Sequence, residues 1–241
     1  MSFIIPNWKV PKNVKAISST RIGGYSSELY QGLNLGSHVG DDLETVLRNR
    51  QALVQLSAMP SAPIWLNQTH STNVATVSEP TEVTLDADGI FTSQTGIVCS
   101  AMTADCLPVL LTNTQGNQVA AVHAGWRGLA NGIVENAVKM FDGEVIAWLG
   151  PAIGHNAFEV GEDVLQAFCD FDAEAIHAFK PTGNEGKWWA DMDQIATQRL
   201  NKLGVNQVFT SKLCTYSEPE RFYSYRREGV TGRQASLIWL E

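Results

Sequence analysis

The sequence predicts an α/β protein in which mixed β-sheets are flanked by helices. Short apolar segments of strand length, such as Val145–Leu149, alternate with longer segments whose apolar residues recur every three or four positions. Apolar residues make up 44% of the chain and charged residues 17%, which is typical of a globular protein. Because no repeat, low-complexity tract or linker interrupts the 241 residues, we expect one domain over residues 1–241.

Several segments have the apolar spacing of a helix. Leu43–Leu56 is the clearest, because Asp41 and Asp42 precede it as candidate N-caps. The others are Ile133–Phe141, Val160–Phe168 and Met192–Leu203, and Gly204 should end the last of them. We expect these helices to cover the sheets.

The remaining apolar segments predict strands. In chain order they are Val14–Ser19, Ile64–Leu66, Val74–Val77, Ile97–Met102, Leu107–Leu111, Val119–Val122, Val145–Leu149, Val208–Thr210, Phe222–Arg226 and Ala235–Leu240. Pro108 has no backbone N–H, so Leu107–Leu111 should begin there or lie at a sheet edge. The last two strands should be joined around Gly229–Gly232.

The charge of the chain argues against a broad nucleic-acid surface. The formal net charge is −8, and an acidic protein repels phosphate backbones, although a local basic pocket for one small anion stays compatible with it. No apolar run is long enough for a membrane span, and the N-terminus lacks the pattern of a signal peptide. We expect a cytoplasmic protein without nucleic-acid or membrane partners, either a monomer or a weak homodimer.

The four cysteines, Cys99, Cys106, Cys169 and Cys214, form no CxxC pair. In a reducing compartment they should be free thiols, and a lone cysteine is usually a small buried apolar residue. A functional role therefore needs partners, and the pattern of polar residues offers them for Cys106.

Three residues that bind metals lie at predicted strand ends. His70 lies between two short strands, Cys106 lies at a turn between two apolar strands, and His123 ends a third. Strand ends of one sheet can converge. Two imidazoles and a thiolate suit zinc, or copper less firmly, and three protein ligands leave the fourth position that a catalytic site needs. From the spacing alone this signal is weak, because a lone histidine at a strand end is more often a hydrogen-bonded loop residue.

Other polar segments are candidates for substrate contacts. In His123–Gly128 two glycines permit a tight turn into a helix, where backbone N–H groups and Arg127 could hold an anion. Near the C-terminus, Arg226 and Arg227 should face opposite sides of a strand, so that one could reach a pocket beside aromatic residues. Surface turns and packing aromatics explain these segments equally well. The candidate substrate contacts are Asn34, Gln68, Arg127 and Arg226.

Taken together, these segments resemble the YfiH-type family, also called the laccase-domain or multicopper polyphenol oxidoreductase family. The matching stretches are Asn34–Asp42, Asn67–Ser71, Asp88–Ile90, Thr103–Val109, Ala121–Gly128, Leu149–Ile153, Phe158–Gly161, Phe222–Arg227 and Thr231–Ser236. They span nearly the whole chain, and the combination of Thr103–Cys106 with His123–Gly128 is highly specific.

The resemblance implies a site and an activity. It implies that His70, Cys106 and His123 are the metal ligands and the catalytic residues, on a fold similar to the catalytic domain of a deamidating toxin. It implies zinc, with copper as the alternative, and phosphorolysis of adenosine, inosine and methylthioadenosine together with adenosine deamination. The same family also carries the polyphenol oxidase label and an association with the editing of peptidoglycan precursors.

Alternative mechanisms stay open on the residues alone. In a metal-free hydrolase, Cys106 would be the nucleophile and His123 the base, with Asp105 or another carboxylate as orienter. The chain has five histidines, too few for a multicopper cluster, although a mononuclear copper site is compatible with them. A binding module without catalysis is the remaining class.

Overall fold

The computed structural model describes all residues 1–241. Its strands are β1 Phe3–Ile4, β2 Val14–Ser19, β3 Pro63–Ile64, β4 Leu66–Asn67, β5 Val74–Thr76, β6 Leu85–Asp86, β7 Gly89–Thr92, β8 Val98–Thr103, β9 Leu107–Asn113, β10 Val119–Ala124, β11 Val145–Leu149, β12 Glu159–Gly161, β13 Phe179–Pro181, β14 Lys187–Ala190, β15 Gln207–Thr210 and β16 Gln234–Leu240. Its α-helices are α1 Leu43–Ser57, α2 Trp126–Asn131, α3 Ile133–Val138, α4 Glu162–Cys169, α5 Met192–Lys202 and α6 Tyr225–Glu228. None of the helices is long and apolar enough to cross a membrane.

Two mixed sheets form the centre of the molecule. One has the strand order β1-β2-β16-β8-β3, and the other has the order β15-β11-β9-β10-β7-β5. Their facing sides share one apolar cluster, which includes Leu110, Trp148 and Ile238. Burying these faces removes apolar surface from water and holds the sheets together. The predicted class, α/β with mixed sheets flanked by helices, is confirmed.

Helices cover the outer faces of both sheets. Leu53 of α1 packs with the outer residues of the five-stranded sheet, such as Leu237. Helices α2 to α5 pack on the six-stranded sheet through residues such as Leu129 and Ile195. Asp42 caps α1, since its carboxylate accepts the N–H of Thr45 at 2.8 Å, as the sequence predicted. β1 and β2, near the start of the chain, adjoin β16, near its end, in one sheet.

Some predicted elements differ in the structure. Phe222–Arg226 was expected to be a strand, but Ser224 caps the short helix α6 by accepting the N–H of Arg227. The N–H of Arg226 is held by Asp105 at 2.7 Å and therefore does not pair with a strand. The hairpin expected around Gly229–Gly232 is consequently wrong.

Two boundaries shift for identifiable reasons. Val160 was expected in a helix but lies in β12, because Glu159–Gly161 pairs antiparallel with β14 before α4 begins. Pro108 is the second residue of β9, so the expected strand start is confirmed. However, β9 lies between β11 and β10 inside its sheet and not at an edge.

Candidate metal centre

Strand pairing brings Cys106 and His123 together. β9 and β10 are antiparallel, with His123 opposite Pro108 and Ala124 opposite Leu107. Cys106 immediately precedes β9, and His123 lies at the far end of β10, so both occupy the same end of the pair. The register of two buried strands therefore specifies the approach of these two side chains.

The third ligand candidate arrives on a loop. His70 lies in the segment before β5, which pairs parallel with β7, the neighbour of β10. Its backbone has a φ of 63°, a left-handed conformation that is uncommon outside glycine. The loop keeps this shape because Asp88 accepts the backbone N–H groups of Thr69, His70 and Ser71 at 3.1, 3.0 and 2.6 Å.

The geometry of the three side chains fits one metal ion. The candidate donor atoms of His70, Cys106 and His123, hereafter the triad, all lie within 4.8 Å of one another. His70 Nε2 is 3.6 Å from Cys106 Sγ. Ligands at the usual zinc–nitrogen and zinc–sulfur lengths, seen at a tetrahedral angle, would be about 3.5 Å apart. The spacing and the donor types of the triad are therefore compatible with one bound metal ion.

Asp88 orients His123 of the triad through a hydrogen bond. Its side chain is fully buried, and its Oδ1 accepts a hydrogen bond from His123 Nδ1 at 2.8 Å. Burial would raise the pKa of this carboxyl, but the bonds from His123 and Ser71 hold the pKa well below its usual range. The ionised carboxylate therefore fixes the proton of His123 on Nδ1 and leaves Nε2 free as a ligand.

The electrostatics of the site favour a thiolate. Burial alone would raise the pKa of Cys106, but His123 and His70 together lower the pKa to about 6. Burial would lower the pKa of His123, but the Cys106 thiolate and Asp88 raise that pKa to about 9. Without a metal, Cys106 and His123 thus form an ion pair near neutral pH, and a metal-binding thiolate is already available.

Gly125 permits the close approach of the triad. A Cβ at this position would lie 2.4 Å from His70 Cδ2 and 3.1 Å from Cys106 Sγ. Gly125 also precedes the first residue of α2, as the sequence predicted for this turn. Helix α2 has only six residues, so the positive charge at this turn comes from Arg127 more than from the helix dipole.

The triad lines a cavity of about 460 Å³, hereafter the triad cavity. Arg127, Arg226 and Arg233 line it, whereas Asp105 is its only carboxylate. Asp105 is occupied by the hydroxyls of Thr215 and Ser224 and by the N–H of Arg226. An acidic chain therefore has a positively charged cavity around the triad.

The predicted substrate contacts fall in different places. Arg127 and Arg226 line the triad cavity, Arg127 over the ring of Trp126 and Arg226 bonded to the carbonyl of Glu159 at 3.0 Å. Gln68 also lines it, with both ends of its amide bonded to the backbone of Met102.

Asn34 does not reach the cavity. It is fully buried, and its amide accepts the N–H of Arg233 at 2.9 Å and donates to Asp41. We expected it to be a substrate contact, and the structure instead places it behind Arg233.

Some residues of the site escaped the sequence interpretation. Asp88, not Asp105, is the carboxylate bonded to His123, although Asp88 belonged to a matching stretch. Arg233 also lines the triad cavity and was not singled out, whereas His38 lies in the matching stretch Asn34–Asp42 and Tyr225 is one of the aromatic residues expected beside a pocket. The one available signal was that polar residues interrupt otherwise apolar ends of strands.

A buried α/β scaffold with two histidines and a cysteine at converging strand ends defines the class as an enzyme-like protein with a candidate metal centre. Residues 15–241 match the family model described as multi-copper polyphenol oxidoreductase laccase. A protein named purine nucleoside phosphorylase from Haemophilus influenzae is 50% identical, covering 100% of both chains. One named purine nucleoside phosphorylase YfiH from Escherichia coli is 49% identical, covering 98% of each. The chain belongs to this YfiH-type laccase-like family.

Solved structures agree with the fold. A crystal structure of a Neisseria meningitidis protein superposes with a TM-score of 0.95 at 45% identity, covering 100% of both chains. The YlmD protein of Geobacillus stearothermophilus superposes with a TM-score of 0.89 at 27% identity, covering 95% of this chain and 93% of that one. The whole chain therefore follows the fold of the family.

Proposed function

We propose that this protein is a zinc-dependent purine nucleoside phosphorylase that acts on adenosine, inosine and methylthioadenosine and also deaminates adenosine. The observation that carries the proposal is the triad, whose donor atoms lie within 4.8 Å of one another in a cavity lined by three arginines. The phosphorylase names of relatives about 50% identical over their full length support it.

The residues of the site fit phosphorolysis. Arg127, which pairs with no carboxylate, holds phosphate at the mouth of the cavity, and Arg226 supports it from α6. The triad holds zinc, which when bound supplies a Lewis acid for an oxygen of phosphate or water. The cavity of about 460 Å³ has room for a nucleoside and a phosphate. All four cysteines are free thiols, which supports a cytoplasmic location.

The test is incubation of metal-quantified protein with adenosine and phosphate. Adenine would report phosphorolysis, inosine would report deamination, and hypoxanthine would report both in sequence. We expect adenine and inosine to form, and both should disappear after chelation and return with zinc. Absence of all three products from about pH 6 to about pH 9 would refute the proposal.

A second candidate is a Cys–His hydrolase that edits peptidoglycan precursors. The bond between Asp88 and His123 at 2.8 Å, with the low pKa of Cys106, is the arrangement of an activated nucleophile with its base and orienter. Activity that resists chelators but is abolished by iodoacetamide would favour this mechanism. Cys106→Ala abolishes activity in both mechanisms, so that variant cannot separate them.

A mononuclear copper polyphenol oxidase is the third candidate, in keeping with the family's description. The triad offers one set of three ligands, and the chain has five histidines, so a cluster of several copper ions lacks ligands. Oxidation of a polyphenol by the copper-loaded protein, with none by the zinc-loaded protein, would favour this candidate.

A further inference from the structure

Arginines without a carboxylate partner gather around the triad. Arg21, Arg199, Arg221 and Arg227 each lie within 4.0 Å of a glutamate. Arg48, Arg50, Arg127, Arg226 and Arg233 have no such partner. Three of these line the triad cavity, although acidic residues outnumber basic ones, 25 to 17, in the chain. Cys106 and Asp105 act on Arg233 as nearby opposite charges but form no ion pair with it, so an anionic ligand would add a direct counter-ion.

Several contacts fix the side chain of Arg233 beside the triad. Its Nη1 donates to the carbonyls of Thr231 and Gly232 at 3.0 Å, which leaves Nη2 and Nε available. Its backbone N–H is fixed by Asn34, and Gly36 packs against its side chain so closely that a Cβ there would lie 2.8 Å from Cγ. Because Arg233 is partly buried and its rotamer is fixed, it loses little entropy when it binds an anion.

A fourth unpaired arginine lies next to the triad cavity. Arg50 lines an adjoining cavity of about 300 Å³, hereafter the annex, which shares His38 and Met102 with the triad cavity. The guanidinium of Arg50 lies over the Trp65 ring, 4.1 Å from its centroid, and its Nε and Nη2 donate to the carbonyl of Leu35. Its Nη1 is left for a ligand.

His38 lines both cavities, close enough to Arg233 and Arg50 for their charges to act on it. Burial lowers the pKa of His38, and the charges of Arg233 and Arg50 lower it further, which favours the neutral imidazole with one N–H donor. Asp86 also lines the annex, but it is exposed and accepts a hydrogen bond from Asn67 at 2.8 Å. Arg233 in the triad cavity, Arg50 in the annex and the imidazole of His38 that lines both form a set of donors for a phosphoryl group.

We propose that Arg233, Arg50 and His38 bind a phosphoryl group carried by the substrate, so that the site prefers purine nucleoside 5′-phosphates to neutral nucleosides. This inference rests on the proposed phosphorolysis. Orthophosphate then binds Arg127 and Arg226, and the substrate's own 5′-phosphate binds Arg233, Arg50 and His38. An oxygen of orthophosphate bonds to C1′, the glycosidic bond breaks, and its electron pair leaves with the purine, which takes a proton. The products are the free base and ribose 1,5-bisphosphate.

The test compares inosine with inosine 5′-monophosphate at saturating orthophosphate. We expect kcat/KM of the wild type to favour the monophosphate at least about tenfold, the scale of one charge-assisted hydrogen bond. Arg50→Gln and Arg233→Gln should each reduce that preference about tenfold, whereas Arg50→Lys should retain part of it. Arg48→Gln is the matched control, because Arg48 lies in the same helix but over Tyr25 and outside both cavities. It should leave the preference unchanged.

Three results would overturn the inference. The first is an equal kcat/KM of the wild type for inosine and for its monophosphate. This comparison does not depend on any variant. The second is a preference that survives Arg50→Gln and Arg233→Gln in variants whose melting temperatures match the wild type. The third is a rise in the KM for orthophosphate in these variants with no change in the preference for the monophosphate. Arg50 and Arg233 would then bind the co-substrate orthophosphate.

Failure of the proposed function would look different, because neither substrate would release hypoxanthine. Calorimetric titration of inosine and its monophosphate would then decide the inference separately. Tighter binding of the monophosphate that Arg50→Gln weakens about tenfold supports the phosphoryl site. Equal binding of the two compounds overturns it.

Discussion

Two of the cavities in this molecule have nearly equal volumes, and only one of these two gathers a set of metal-binding donors. The triad cavity measures about 460 Å³, and a second cavity of about 470 Å³ lies beyond Ile153, which lines both. The second cavity also contains a cysteine, a histidine and carboxylates: Cys214, His155, Asp191 and Asp193. Residue types and volume therefore do not separate the two.

The difference lies in convergence. In the triad cavity three donors meet, and Asp88 holds both the His70 loop and the His123 ring. In the second cavity His155 is half exposed and 3.9 Å from Asp191, while Cys214 Sγ accepts the N–H groups of Gly154 and Ser217. Those contacts stabilise a loop and do not bring three metal-binding donors together. A site requires donors fixed toward one point by a supporting shell.

The largest expected contrast is between the two cysteines. Cys106→Ser should lower kcat/KM at least about a thousandfold and reduce bound zinc, because it removes a thiolate ligand. Cys214→Ser should retain activity within about twofold, since a hydroxyl can still accept the two N–H groups. Turnover and metal content measured on both variants test this contrast. Equal losses in the two variants would contradict it.

The two glycines that contact these cysteines should also behave differently. Gly125→Ala places a Cβ 2.4 Å from His70 and should cost about a hundredfold in kcat/KM with loss of zinc. Gly154→Ala places its Cβ 3.1 Å from Cys214 Sγ, which should mainly lower the melting temperature. Kinetics and thermal unfolding of the pair provide the measurement, and full zinc occupancy in Gly125→Ala would count against the geometry.

Asp88 and Asp191 offer a third comparison. Asp88→Asn should weaken zinc affinity about 10- to 100-fold, because the amide no longer fixes the Nδ1 proton of His123 as a carboxylate does. Asp191→Asn should have little effect, since asparagine also caps helix α5 and the contact with His155 is long. Competition with a chromogenic chelator measures both affinities. An Asp88→Asn variant with wild-type affinity would remove the orienting role.

The smallest effect concerns Asp193 and the dependence of stability on pH. Burial raises the pKa of Asp193 to about 6, although Thr210 donates a hydrogen bond to it. Because the pKa in the folded state is above the unfolded value near 4, this group contributes stability at low pH that is lost as pH rises through about 6. Asp193→Asn should remove this dependence on pH, on the order of 2 kcal/mol in the free energy of unfolding, because the amide stays neutral at every pH.

Denaturant titrations at about pH 4 and about pH 7 test this on the variant and the wild type. An equal dependence on pH in the two proteins would contradict the assignment to Asp193. The triad should give the same zinc content in both, because Asp193 lies in the second cavity.

The sequence predicted the elements in which a local pattern and the tertiary structure agree. Val14–Ser19 and Val145–Leu149 are strands with the predicted limits, and Asp42 caps α1. Polar residues at strand ends made His70, Cys106 and His123 candidates, the family resemblance implied them as metal ligands, and the structure brings the three together.

Long-range contacts explain what the sequence did not reveal. Tyr225 and Arg226 have strand-forming neighbours, but Asp105, more than 100 residues away, fixes them in a short helix. The roles of Asp88 and Arg233 depend on which loops meet around them, and Asn34 turned inward for the same reason. No local periodicity encodes such contacts.

Metal analysis with X-ray absorption spectroscopy tests the central claim most directly. The account predicts one zinc ion per chain, with two nitrogen ligands at about 2.0 Å and one sulfur ligand at about 2.3 Å, and loss of the sulfur in Cys106→Ser. A metal-stripped protein that turns over at the full rate, or a bound metal without sulfur in its coordination shell, would contradict it.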